Sequence, residues 1–110
     1  MADLHDPDFL DCQSNIDSAI AAIKAVAIQR DSDVVLALQH AAEALPMFAR
    51  AAQQEGASDA QNAAWVRVSC LADLVDEVNA RIDDQLLYGA SVLLHLASSQ
   101  IVMTKEVQHG

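Results

Sequence analysis

The side chains best suited to metal binding or nucleophilic catalysis are four histidines and two cysteines, namely His5, His40, His95, His109, Cys12 and Cys70. No two histidines are three or four residues apart, the spacing that places two ligands on one helix face, and there is no HExxH or CxxC motif. The chain also has neither a glycine-rich phosphate-binding loop nor a GxSxG nucleophile motif. The sequence therefore predicts a protein with no catalytic residues, no metal site, no cofactor and no enzymatic activity.

The cysteines and the apolar segments indicate the compartment. Cys12 and Cys70 are far apart and have no neighbouring ligand residues, so we interpret them as two buried thiols in a reducing cytosol. Residues 1–11 contain four aspartates and no basic segment, unlike a signal peptide. The most apolar stretch, residues 86–103, includes a histidine, a glutamine and three serines and is too polar to span a membrane. These features predict a cytoplasmic protein that does not bind membranes.

Acidic side chains form the most distinctive cluster. At 100° per residue, one helix face carries five carboxylates, from Asp73, Asp76, Glu77, Asp83 and Asp84. The formal net charge of −10 repels phosphate backbones, so no direct nucleic-acid binding is expected. This face is either a solvated surface that keeps the protein soluble or a docking surface for a partner protein with a basic surface.

Trp65 lies at the predicted border between the apolar and acidic faces of the same helix. Tryptophan is frequent among binding hot spots because it removes a large apolar area from water and carries an N–H donor at its edge. The alternative is a structural role, with the indole packing at the edge of the core. We group Trp65 with the five carboxylates as the candidate partner-binding residues.

The composition predicts the elements that position these side chains. Apolar residues make up 53% of the chain, and aromatic residues only 4%. Alanine, which has a high helix propensity, is prominent among the apolar residues. Three glycines and two prolines are too few for a many-stranded β fold. A chain of 110 residues forms one domain. We predict an all-α protein with a flexible acidic N-terminal arm over residues 1–11 and a single helical-bundle domain over residues 12–110.

Helix signals divide the chain into two halves, roughly 14–54 and 58–104. Gly56 suits a helix C-terminus, and Ser58 with Gln61 forms a capping box. The second half has an apolar stripe with helical spacing, which is predicted to continue in phase beyond residue 84: Ala64, Val68, Leu71, Val75, Val78, Ile82, Leu86, Leu93, Leu96 and Ala97. The same phase places three residues on the polar stripe: Ser91, His95 and Ser98.

Two architectures satisfy this pattern. In the first, turns near residues 31 and 84 fold four short helices into a four-helix bundle within one chain. In the second, two long helices form a hairpin about Gly56, and two hairpins dimerise into the same four-helix unit. The residues Asp31, Ser32 and Asp33 can cap a new helix, and Pro46 should kink the first half. Typical helix length favours the first architecture and phase continuity favours the second, so the sequence leaves both open.

Residues 86–103 are apolar around more than half of the helix circumference. A helix of this kind is buried on several sides or lies at a subunit interface. We therefore predict a homodimer with self-association residues Leu86, Leu87, Leu93, Leu94, Leu96 and Ile101.

The sequence as a whole predicts a non-enzymatic protein-binding protein, an adaptor, inhibitor or regulator, that docks on a basic partner through its acidic helix face. Its size, acidity and helical content are similar to those of many inhibitors from phages and mobile elements. Two alternatives differ in class. One is a structural homo-oligomer, and the other is a small acidic chaperone-like protein.

Overall fold

A computed structural model describes residues 7–55 and 58–109, with side chains described over 11–53 and 59–101. Every regular element in this part of the chain is a helix, which confirms the all-α prediction. The helices are α1 (Pro7–Gln29), α2 (Asp33–Glu43), α3 (Leu45–Glu55), α4 (Ser58–Ile82) and α5 (Gln85–His109). No helix in the described part is long and apolar enough to cross a membrane.

The helices form an elongated four-helix bundle of 44 × 20 × 19 Å. Helix α1 packs along α5, and α5 packs along α4. The fourth member is α2 followed by α3, which are separated by the single residue Ala44. Pro46 lacks a backbone N–H donor and so interrupts the helical hydrogen bonds at this point, as predicted. Helix α2 packs mainly against α1, whereas α3 packs mainly against α4.

The chain turns sharply at both breaks of the first architecture, near residues 31 and 84. Helix α1 ends at Gln29, and α2 begins after Ser32, whose Oγ accepts a hydrogen bond from the Val35 amide at 3.3 Å. At the second break Asp83 adopts the left-handed conformation, with φ of 51°, and Asp84 precedes α5. Continuous helices through these two positions, which the long-hairpin architecture requires, are not present in the structure.

The core side of α5 differs from the predicted one. Its buried side chains include Leu87, Ala90, Leu94, Ala97 and Ile101, whereas Leu86 and Leu96 are exposed and Leu93 is half-buried. Ser91 and Ser98, predicted to be on the polar stripe, are buried. The predicted phase was wrong because two non-helical residues, 83 and 84, interrupt the 100° progression and rotate α5 relative to α4.

This rotation corrects the predicted self-association surface. Leu87, Leu94 and Ile101 lie in the core of their own chain, at 0%, 0% and 7% exposure, so they have no surface to offer a second chain. Leu86 and Leu96 keep 43% and 50% of their surface exposed.

The N-terminal boundary and one cysteine also differ from expectation. Helix α1 begins at Pro7, so residues 7–11 belong to a helix, and residues 1–6 lie outside the described part. Proline suits a first helical position because no intrahelical partner is needed there. Cys12 is buried, and burial raises the pKa of its thiol to about 12. Cys70, predicted to be buried, is exposed on α4.

Candidate protein-binding surface

The predicted acidic face separates into two groups. Asp73, Asp76 and Glu77 lie exposed on the outer side of α4, and Asp83 is exposed at the link to α5. Asp84 is different, because only 13% of its side chain is exposed and it contacts several groups of its own chain. The structure thus brings three of the predicted carboxylates together on α4 and places Asp84 in a structural position.

Asp84 holds the break between α4 and α5 in place. Its Oδ1 accepts a hydrogen bond from the Leu86 amide at 2.9 Å, and its Oδ2 lies 3.2 Å from Arg30 Nε. Burial raises the pKa of Asp84, but the hydrogen bonds from Arg30 and from the amides of Leu87 and Leu86 outweigh it, so the net pKa is lowered. Asp84 caps α5 and joins it to the end of α1, which removes it from the candidate partner-binding residues.

Asp76 links α4 to α5. Ser91 Oγ donates a hydrogen bond to Asp76 Oδ1, and His95 Nε2 lies 2.9 Å from Asp76 Oδ2. The hydrogen bond from Ser91, followed by that from His95, lowers the pKa of Asp76. This carboxylate remains half-exposed, so it contributes negative charge to the surface while stabilising the helix pair.

The described part of the chain contains one cluster of side chains that could hold a metal ion, formed by Asp73, Asp76 and His95. Their donor atoms lie within 4.8 Å of one another, and all three side chains are exposed. Spacing within one helix could not reveal this group, because His95 comes from α5 and reaches the others only through antiparallel packing. Both Asp76 oxygens already face the hydrogen-bond partners Ser91 and His95, and no member of the group is buried.

Trp65 is 37% exposed on α4 and is separated from the acidic group. It precedes Asp76 by three helical turns, about 17 Å at 1.5 Å per residue, and lies on the same helix face. The indole is partly covered, as expected of a residue at the core edge, and partly available for contact.

A groove between the α2–α3 segment and α4 was missed by sequence reasoning. Its wider part has a volume of about 370 Å³ and an apolar lining that includes Ala41, Ala44, Phe48, Val66, Cys70 and Leu74. A second part of about 310 Å³ continues past Leu74 to Val34, Glu77 and Arg81. Leu74 lines both parts, so the two adjoin at this side chain, and we call them together the α2–α4 groove.

The interruption at Ala44 explains why this groove is open. Helix α3 packs against α4, whereas α2 packs mainly against α1 and contacts α4 less extensively, which leaves the groove open. Large apolar side chains are consequently left exposed on both walls, with Val34 at 56% and Leu74 at 49%. The sequence signal was Pro46, which predicts a kink without showing which helices it separates.

Charged groups border the α2–α4 groove. Glu77 lies at one end together with Arg81, and Asp73 is exposed one turn away from Glu77 on the same helix. At the other end the Arg67 guanidinium lies over the Phe48 ring, 4.2 Å from its centroid. The groove therefore combines apolar walls with a charged rim.

Comparison of the chain with models of protein families, with curated proteins and with solved structures gives no match. The surfaces themselves are thus the basis on which a function can be inferred.

Proposed function

We propose that this protein is a non-enzymatic binding protein, an adaptor, inhibitor or regulator, that docks on a basic partner protein and holds an amphipathic helix of that partner. The observation that carries the proposal is the α2–α4 groove, whose walls are apolar although they are open to solvent. An amphipathic helix laid into an apolar groove is a recurrent mode of peptide recognition.

The dimensions of the groove support a helical occupant. Along α4 it extends from Val66 to Arg81, which is about 22 Å at 1.5 Å per residue. A partner helix of about 15 residues, or four turns, spans this length. Its apolar side chains would recur every three or four residues and contact Val66, Cys70 and Leu74 on the α4 wall.

Charge supports a basic partner. The chain carries a formal net charge of −10, and Asp73, Asp76, Glu77 and Asp83 are exposed on α4 and at its C-terminal end. Such a field attracts lysine and arginine side chains and speeds their approach, and salt screens it. Arg67 also lies at the groove, but its stacking on Phe48 makes it part of the wall.

The remaining features of the proposal follow from the sequence. We propose a cytoplasmic protein, and two free thiols, one of them exposed, support a reducing compartment. The proposal includes no cofactor, no direct nucleic-acid binding and no membrane association. An inhibitor of the phage or mobile-element type falls within it, since such a protein acts by occupying a partner's surface.

Cys70 provides a direct test, because it lies in the groove wall and its thiol is exposed. Cys12 is buried with a pKa raised to about 12, so alkylating reagents should label Cys70 selectively in the native protein. The probe is a synthetic 15-residue helix with leucines at spacings of three and four and lysines on its other face. We expect this peptide to slow alkylation of Cys70 and to bind more weakly as salt is raised.

Matched peptides and variants make the test specific. A peptide with glutamates in place of the lysines should protect Cys70 at least about tenfold less, since the net charge of −10 and the exposed Asp73 and Glu77 repel it. The double variant D73K/E77K should weaken binding of the lysine peptide, and Leu74→Glu should abolish it. Equal protection by lysine and glutamate peptides would contradict the proposal and favour the chaperone-like alternative. No protection by either peptide would contradict both.

A further inference from the structure

The α1 and α5 helices form a second unpartnered surface, on the side of the bundle away from the α2–α4 groove. On α1 its residues recur at alternating spacings of three and four: Asn15, Ser18, Ala22, Ala25 and Gln29. On α5 the spacings are four, three, four and four, with the residues Gln85, Gly89, Val92, Leu96 and Gln100. The Asn15 side-chain amide donates a hydrogen bond to Gln100 Oε1 at 3.1 Å, which shows that the two rows are neighbours. We call these two rows the α1–α5 face.

None of these ten residues carries a charge, in a chain whose formal net charge is −10, and the nearest carboxylate in line with the α1 row is Asp11, four residues before Asn15. Two copies of so acidic a chain repel each other wherever carboxylates meet. A neutral face is where a second copy can approach without bringing like charges together. The α4 side offers no such approach, because Asp73, Asp76 and Glu77 are exposed there.

The relief of the α1–α5 face is also self-complementary. Val92 and Leu96 project from α5 with 41% and 50% exposure. Beside them Gly89 has no side chain and so leaves a hollow, and a Cβ built there would lie in open space. Ser18 and Ala22 on α1 are small as well. In a two-fold symmetric pair, each copy supplies both the projecting and the small residues, as an isologous interface requires.

We infer that a second copy of this chain covers the α1–α5 face, forming a two-fold symmetric dimer in which small residues of one copy receive Val92 and Leu96 of the other. Close helix approach through small residues, with larger apolar side chains beside them, is a common packing mode of paired helices. The dimer leaves both α2–α4 grooves open, so it presents two binding sites to a partner. It does not depend on the function proposed for the groove.

The test compares two leucines of equal exposure on opposite sides of the bundle. Leu96 on α5 is 50% exposed and Leu74 on α4 is 49% exposed. We would analyse the full chain by sedimentation velocity at roughly 1 to 200 µM, which spans the Kd values of many stable dimers. It should sediment with about twice the monomer mass of 11.8 kDa. Leu96→Glu should weaken the dimer about 100-fold, tenfold for each of its two copies in the interface. Leu74→Glu should leave it intact.

Further variants keep the outcome decisive. If Leu96→Glu loses helicity by circular dichroism, Ser18→Glu on α1 replaces it, since Ser18 is exposed and the change adds the same charge to the same face. A wild-type chain that stays at 11.8 kDa at the highest concentration would overturn the inference, as would dimers of folded Ser18→Glu and Leu96→Glu that match the wild type. In the Cys70 protection assay, Leu96→Glu should behave like wild type. Sedimentation therefore tests the dimer, and Cys70 protection tests peptide binding in the groove, so either proposal can fail without the other.

Discussion

The two sides of the bundle differ in how their helices pair. On one side α1 and α5 run closely together, and alanines such as Ala19 and Ala97 are fully buried in the core beneath them. On the other side α2 leaves α4 at the interruption before Leu45, and an apolar groove opens between them. The two rows of the first surface carry no charged residue, whereas the second surface is concave and bordered by charge.

This difference shows how one short chain can carry two unlike contact surfaces. A closed pair of helices with small side chains forms a smooth face, which suits a copy of itself. Two helices that pack less closely leave their apolar side chains exposed in a groove, and a helix of a partner protein can fill such a groove. Pro46 produces the second geometry by breaking a helix that would otherwise be continuous. Salt should therefore affect the two contacts differently, weakening peptide binding while leaving the dimer unchanged or stronger.

The largest expected effect concerns the rotation of α5, on which the α1–α5 face depends. Leu87 is fully buried and the adjacent Leu86 is 43% exposed, so the two form a matched pair. We expect Leu87→Ala to lower the free energy of unfolding by about 3 kcal/mol, because it leaves a cavity in the core. Leu86→Ala should cost less than about 1 kcal/mol. Urea unfolding of both variants measures this, and a larger loss for Leu86→Ala would restore the register predicted from the sequence.

The next effect concerns the link that sets this rotation. Because the net pKa of Asp84 is lowered in the folded protein, its ionised form adds stability above the unfolded pKa, and that stability is lost as pH falls through the folded pKa. Asp84→Asn, which can still cap α5, should therefore lower the melting temperature at pH 7 and converge with wild type in acid. Asp83→Asn is the control, since asparagine tolerates the left-handed conformation and Asp83 is exposed. Equal shifts for both variants at pH 7 would contradict a specific role for Asp84.

Sequence reasoning reached the helical class and the interruption near Pro46, because proline and apolar spacing are local signals. It offered the breaks near residues 31 and 84 as one of two alternatives, because the apolar pattern continued in phase across them. It missed the rotation of α5, because no glycine marks the left-handed conformation at residue 83, and aspartate is only a weak signal for it. It also grouped Asp84 with the docking carboxylates, since its partner Arg30 is 54 residues away in sequence. The groove was out of reach for the same reason, because its walls come from separate helices.

The smallest expected effect is a change in the free energy of unfolding at Gly89, which lies on the α1–α5 face. Gly89 lies within α5, where glycine costs helix stability, and a Cβ there meets nothing in its own chain. We expect Gly89→Ala to raise the free energy of unfolding of the monomer, measured at high dilution, by about 0.5–1 kcal/mol. The reverse substitution Ala80→Gly, at an exposed position on α4, should lower it by a similar amount and serves as the control.

If the hollow at Gly89 receives a side chain of a second copy, Gly89→Ala should weaken the dimer while it stabilises the monomer, and sedimentation would show dissociation at a higher concentration than for wild type. Ala80→Gly lies away from the α1–α5 face, so it should change the stability of the monomer and leave the dimer as it is. A variant at Gly89 that stabilises the monomer but weakens the dimer would therefore show that this glycine is used for contact between the two copies. A gain in both quantities would mean that the second copy does not enter this hollow.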